Sequence, residues 1–220
     1  MKAKKTILIV AAMLLVAALA VGGTLAYLTS TTDEVVNTFT VGDVEITLTE
    51  TSTANEGKGI LAGEAVKDEK DEFVGYKYHI LPGLKYDKEP VVTVEEGSED
   101  CYVRAFITID KSSEFDAIFA ANKLTMADVL NFNTTNWTAQ TATVVDKDAN
   151  TRTYEVRYNA IVTEPKALEA LFTTLTVPGS LTNDQLESIA GFQVTIYAQA
   201  IQADGFADAP AAFTALNNAQ

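Results

Sequence analysis

The sequence predicts a mainly β protein: an antiparallel β-sandwich with short helices inserted between its strands, preceded by a signal-peptide helix. Three observations predict it. Strictly alternating apolar and polar stretches recur along the chain, turn residues punctuate them, and helical spacing is confined to a few short segments. An apolar content of 47% over 220 residues supplies enough side chains for a sizeable core and is too high for a disordered chain. No internal repeat and no linker rich in Pro, Gly or Ser is visible, so the part beyond the N-terminal segment reads as a single domain.

Val44-Glu45-Ile46-Thr47-Leu48-Thr49 alternates and reads as a half-buried strand. Residues 51–72 are polar, with Gly57, Gly59 and Gly63 and a charge run from Glu64 to Glu72, and read as a loop. Val74, Tyr76, Tyr78 and Ile80 alternate again until Pro82-Gly83 turns the chain. Val91 to Val94 is a short strand after Pro90, and the nearly continuous apolar run from Cys101 to Ile109 is expected at the centre of a sheet. Thr141 to Val145 and Thr153 to Val162 flank Asp146-Lys147-Asp148-Ala149-Asn150, the pattern of a hairpin. Phe192 to Ala200 is the last strong strand.

Helical spacing appears in Ser113 to Ala121 and in Thr125 to Leu130. After Glu164-Pro165, a third segment places Ala167, Leu168, Leu171 and Phe172 on one helical face. Thr182-Asn183-Asp184-Gln185 is a capping box, in which the Thr and Gln side chains satisfy free N–H groups at a helix start. Asp208-Ala209-Pro210 opens a last short helix.

The N-terminus carries an address. Lys2, Lys4 and Lys5 form a positive region, Ile7 to Val21 is wholly apolar, and Gly22-Gly23 breaks the run. This is the layout of a secretory signal peptide. An uncleaved anchor normally needs ~20 apolar residues, more than this run offers. Two small-residue cleavage sites compete, Ala18-Leu19-Ala20 and Thr24-Leu25-Ala26. No cysteine lies near either, which excludes lipoprotein processing, and no LPxTG motif is present. The mature protein is expected outside the cell, released or held without a covalent link.

Charge and residue counts narrow the function. The net charge is −14, and removal of three lysines with the signal makes the mature chain −17. Such acidity argues against nucleic acid, which requires a cationic footprint. It also means that subunits repel one another, so any assembly must rest on strand pairing and apolar anchors, and acid or cations should favour it. One cysteine permits no internal disulfide.

His79 is the only histidine, so any Ser-His-Asp triad or Cys-His pair would have to use it. It falls on the polar strand face shared with Gly75 and Lys77, where a solvated side chain is the better reading. An HExxH zinc site is impossible with one histidine. The Asp146 loop opens like a calcium-binding loop, but Thr151 stands where the turn needs Gly and Arg157 where a bidentate Glu belongs. Gly57-Lys58-Gly59 with Gly63 lacks the spacing of a phosphate loop. Cys101, at the start of an apolar strand, reads as a small buried hydrophobe. No catalytic residue, cofactor or metal is therefore assigned.

The segment Tyr27 to Val41 is rich in Thr, β-branched and aromatic residues, with Phe39 and Val41 alternating with Thr38 and Thr40. It reads either as an ordinary first strand of the domain or as a strand that adds to the edge of a neighbouring subunit.

Gly22-Gly23-Thr24-Leu25-Ala26-Tyr27-Leu28-Thr29, followed by Asn37-Thr38-Phe39-Thr40-Val41-Gly42-Asp43-Val44 and the strand to Thr49, resembles the start of the TasA/camelysin family of secreted Gram-positive proteins. Ile80-Leu81-Pro82-Gly83, Lys88-Glu89-Pro90 and Gly97 to Arg104 resemble its middle strands, and Ala200 to Phe206 its C-terminal motif. The resemblance implies a jelly-roll-like β-sandwich and cleavage by a SipW-type signal peptidase after Ala26, with Thr24, Ala26 and Tyr27 forming the site. It divides the chain into a signal peptide (1–26), an N-terminal donor-strand segment (27–41) and one sandwich domain (42–220).

It further implies polymerisation into extracellular biofilm matrix fibres, with Tyr27, Leu28, Val35, Val36, Phe39 and Val41 of one subunit anchoring in the next. The partners are then the chain itself, the SipW-type peptidase during export, an accessory matrix protein, and no nucleic acid. The camelysin label also carries a metalloprotease activity, which the scarcity of histidine opposes. A secreted protease and a monomeric secreted binding module are the alternatives to a fibre subunit.

Overall fold

The computed structural model describes residues 43–139 and 144–219, where the chain forms several antiparallel sheets and three short helices, with no closed barrel among the described residues. The largest sheet is organised around Cys101–Asp110 (β7), which lies between Val194–Gln202 (β13) and Thr151–Tyr158 (β10). Trp137–Ala139 (β8) and Val144–Asp146 (β9) both pair with β10, and every ladder in this sheet is antiparallel. β7 is rich in β-branched and aromatic residues and contains no Gly or Pro, which suits a doubly paired strand.

Burial along β7 reveals what covers it. Every residue from Cys101 to Ala105 is buried, whereas beyond Ala105 only alternate residues are. One face of the strand, with Val103, Ala105, Ile107 and Ile109, packs into the main core along its whole length. The other face is covered only near its start, where Tyr102 packs with Ala212 and Phe213 of the C-terminal helix Ala209–Ala219 (α3). Where α3 stops covering it, Phe106, Thr108 and Asp110 are half-exposed.

A second sheet runs Ile46–Thr51 (β1), Glu89–Val94 (β6), Lys166–Ala167 (β11) in that order. Val92 and Val94 of β6 share the main core with β7. A third sheet places Lys85–Asp87 (β5) between Thr174–Thr176 (β12) and Ile60–Leu61 (β2), the β2 pairing being parallel. Glu64–Lys67 (β3) and Phe73–Lys77 (β4) form a separate two-stranded hairpin.

Most expected elements appear, with instructive differences. The segment 51–72, read as a loop, contains β2 and β3. Both faces of β3 are exposed, so no apolar alternation marks it as a strand. Its turn is held by Asp68, whose carboxylate accepts from the Lys70 and Glu72 amides at 2.8 and 2.9 Å.

The helix expected after Glu164-Pro165 is absent. Leu168, Leu171 and Phe172 are buried, but the Leu168 and Leu171 amides donate to the carbonyls of Val92 and Pro90 on β6 at 2.8 and 3.1 Å. Bonds across to a strand replace bonds along a helix because the segment is sandwiched against the core, and burial overrides local spacing.

Thr125 to Leu130 is also not an α-helix but one 3-10 turn, Met126–Asp128, closed by a capping box between Thr125 and Asp128. The helix Ser112–Asn122 (α1) forms as expected, although Lys111 ahead of it gives no side-chain cap. Asn150, at the turn between β9 and β10, fills that role, accepting from the Ser113 amide at 2.9 Å. The capping box at Thr182 starts Asn183–Ser188 (α2), with the Gln185 amide donating to Thr182 Oγ1 at 3.3 Å. Asp208 caps α3, accepting from the Ala211 amide at 2.9 Å.

Candidate functional site

Thr24, Ala26, Tyr27, Leu28, Val35, Val36, Phe39 and Val41, the residues expected at the cleavage site and donor strand, lie outside the described residues. So do Thr141, Ala142 and Thr143 of the expected hairpin strand. The rest of the expected chemistry can be placed.

His79 is exposed and lies past the end of β4 rather than on its polar face. Its carbonyl accepts from the Tyr86 hydroxyl at 2.6 Å, and that hydroxyl accepts from the Leu81 amide at 3.0 Å. This bridge ties down the chain approaching the Pro82-Gly83 turn. Cys101 is fully buried at the start of β7, and burial, helped by Asp100, pushes its thiol up to about 11. A thiol held neutral in this way is a packing group rather than a nucleophile. The Asp146 carboxylate accepts from the amides of Asp148 and Ala149, both at 2.9 Å, so it builds a turn. Among the described residues no three His, Cys, Asp or Glu side chains group as a metal centre.

A shallow apolar recess with a cavity volume of about 10 Å³, room for no more than a water, lies between α1, β12 and the segments flanking α2, lined by Phe115, Phe119, Leu175, Val177, Leu181 and Phe192 among others. It carries no polar group to orient a ligand.

The densest polar cluster is one that the sequence reading missed. Arg104 is 2% exposed, on the face of β7 covered by α3. Its Nε and Nη2 donate to Gln199 Oε1 of β13 at 2.9 and 2.6 Å, and Nη2 donates to Asn217 Oδ1 of α3 at 2.6 Å. Its Nη1 stands 3.7 Å from Glu155 of β10, which also takes Arg157 Nε at 2.8 Å. The guanidinium lies between Phe106 and Phe213, 4.8 and 4.6 Å from the ring centroids. Burial lowers its pKa; Glu155 opposes that shift and Arg157 adds to it. One side chain thus joins three strands and a helix. A lone Arg inside the apolar run Cys-Tyr-Val-Arg-Ala-Phe was the available signal.

On its far side from β7, β13 ends the large sheet, and no described strand pairs with it there. The Asp110 amide donates to the Gln193 carbonyl at 3.3 Å and the Ala203 amide to the Asp100 carbonyl at 2.6 Å. By the alternation of an antiparallel ladder, the odd-numbered residues of β13 bond to β7. The N–H and C=O groups of Val194, Ile196, Ala198, Ala200 and Gln202 therefore point away from it. β1 lies close to β13 without sharing a ladder with it.

Such an edge is normally guarded by charge, proline or a bulge. Val-Thr-Ile-Tyr-Ala-Gln-Ala-Ile-Gln carries neither charge nor proline over nine residues, and its register with β7 is unbroken. Its outer face presents Tyr197, 47% exposed, stacked on Phe106 at 4.6 Å. Beside that pair runs a threonine row, Thr195 opposite Thr108 opposite Thr153, the last two hydroxyls 2.8 Å apart. An edge of this kind can take an extended chain through main-chain hydrogen bonds.

Comparison of the chain with protein-family models, with curated proteins and with solved structures gave no match in any of the three.

Proposed function

We propose that this protein is a secreted structural subunit of an extracellular matrix fibre. In this reading a SipW-type signal peptidase cleaves between Ala26 and Tyr27, and the freed segment 27–41 adds as a strand to the next copy. The domain that receives it is a jelly-roll-like β-sandwich, and an accessory matrix protein can join the same assembly. The observation that carries the reading is the position of a β-prone, Thr-rich segment with apolar anchors directly after an export signal.

Two further features support it. The described part is mainly β, the kind of scaffold that strand addition extends. A head-to-tail contact whose operation does not close generates an open filament from one type of chain. In the precursor the signal peptide would hold the donor segment back, so cleavage would act as the trigger.

The mature chain, residues 27–220, should form fibres visible by electron microscopy at high concentration. The same chain lacking residues 27–40 should remain monomeric by sedimentation. Fibres from the truncated chain would sink the proposal.

A further inference from the structure

We infer that Lys88 and Glu50 join covalently after folding, Lys88 Nζ and Glu50 Cδ forming an amide with loss of one water. The link lies within one subunit and does not depend on the fibre reading above.

This pair differs from the other ion pairs among the described residues. Lys88 is 6% exposed, and its Nζ donates to both Glu50 carboxylate oxygens at 2.7 Å. Lys67 and Asp71, 2.9 Å apart, stand in solvent, and Arg152 meets an exposed Asp116. Arg104 and Arg157 share Glu155, but a guanidinium stays protonated and offers no lone pair to a carboxyl carbon. Lys88 with Glu50 combines an amine, a carboxyl group and near-complete removal of both from water.

The surrounding chain fixes the two side chains against each other. Glu50 lies on β1 opposite Pro90 of β6, so Lys88, two residues before Pro90, is its diagonal neighbour on the same face. Lys88 occupies the corner between β5 and β6. Asp87 on one side pairs with Thr174, Glu89 on the other pairs with Thr51, and the Lys88 amide donates to the Thr173 carbonyl at 3.2 Å. The Tyr78 ring lies 6.0 Å from Nζ. Its hydroxyl donates to the Asp87 carbonyl at 3.0 Å, and its ring meets buried Tyr86 edge to face.

A nitrogen equidistant from both oxygens faces the carbon between them at about 3 Å, the separation of a near-attack arrangement. The step balances without a further reactant. A proton passes from the ammonium to one carboxylate oxygen along a 2.7 Å bond, leaving an amine lone pair and a carboxylic acid. Nζ attacks Cδ, the nitrogen passes one more proton to the hydroxyl oxygen, the C–O bond breaks, and water leaves. A neutral amide then replaces two desolvated charges, and the fixed geometry supplies the effective concentration that free amine and acid lack. The amide closes a loop over residues 50–88, which contains β2, β3 and β4. In a chain with one cysteine it does what a disulfide does elsewhere, restricting the unfolded state.

The test is the mass of the chain 27–220. Protein refolded and held in buffer should be one water lighter than the same chain kept in urea. Tandem mass spectrometry should find a branched peptide joining Glu50 to Lys88, and the linked protein should run faster on a denaturing gel. Lys88→Arg, which keeps the charge but cannot form this amide, should keep its full mass and unfold at a lower urea concentration.

Full mass in the folded, unmodified chain would overturn the proposal and leave an ordinary buried ion pair. A water lost equally from folded Lys88→Arg, or a branch at other residues, would place the condensation elsewhere and overturn it too. If Lys88→Arg fails to fold, the branched peptide from the unmodified chain decides alone.

Discussion

β7 and β13 are neighbours paired over nine residues, yet they are opposite kinds of strand. β7 is flanked on both sides, buried on both faces over its first half, and holds a buried Arg. β13 has one edge with which no described strand pairs and an exposed aromatic, and carries no charge. A charge inside β7 is tolerated because Gln199, Asn217 and Glu155 surround it. A charge would be easy to solvate on β13, and its absence there is the more telling fact. Burial explains the composition of β7, whereas what β13 lacks matters only if something pairs with its edge.

The sharpest way to break this contrast is at Arg104. Arg104→Ala would leave Gln199 and Asn217 unpaired under α3, and loss of one partner from a buried ionic cluster costs about 3–5 kcal/mol. Urea unfolding should show that loss. An Arg104→Met variant, which fills the space without a charge, should lose distinctly less. Equal losses would mean that Arg104 contributes through its charge and hydrogen bonds alone and not through packing.

A smaller effect compares two isoleucines opposite each other in the register, Ile107 on β7 and Ile196 on β13. Ile107 is fully buried, so Ile107→Ala should cost about 3 kcal/mol. Ile196 is only partly buried at the edge of the described sheet, and Ile196→Ala should cost about half as much in the monomer. If the donated strand seals that edge, the gap should narrow when resistance to denaturant is measured on fibres.

The smallest effect is read with pH and concerns β7 alone. The Cys101 thiol titrates near 9 when unfolded and is pushed up to about 11 in the fold. Between those values the unfolded chain has released a proton that the folded chain keeps. The Cys101 contribution is thus complete below about pH 9 and declines as pH rises toward 11. Cys101→Ala should flatten that part of the stability profile, and an unchanged slope would show that the thiol is not held neutral by burial.

Much of the local architecture was legible in residues. The alternating run from Val44, the nearly continuous apolar run from Cys101 and the strand segments expected from Thr153 and Phe192 became strands, and the caps at Thr182 and Asp208 became helix starts, because each signal acts within a few residues. Readings failed where distant packing decided. Leu168, Leu171 and Phe172 suit one face of a helix, yet they sit in irregular chain hydrogen-bonded to β6. Glu64–Lys67 pairs with β4 although nothing in its exposed side chains marks a strand.

The sequence by itself determined the pattern of three lysines followed by an apolar run at the N-terminus, the acidity, the single histidine and the β-prone segment 27–41. These are properties of residue type and order, and folding does not alter them. The nearly continuous apolar run of β7 marked it as a central strand, whereas only the tertiary structure decided that β13 stands at an edge of the described sheet. Strand order in a sheet depends on which partners meet across long stretches of chain, information that no local pattern contains. The same holds for Arg104, whose partners Glu155, Gln199 and Asn217 come from three elements well separated in sequence and are brought together only when α3 closes over the sheet.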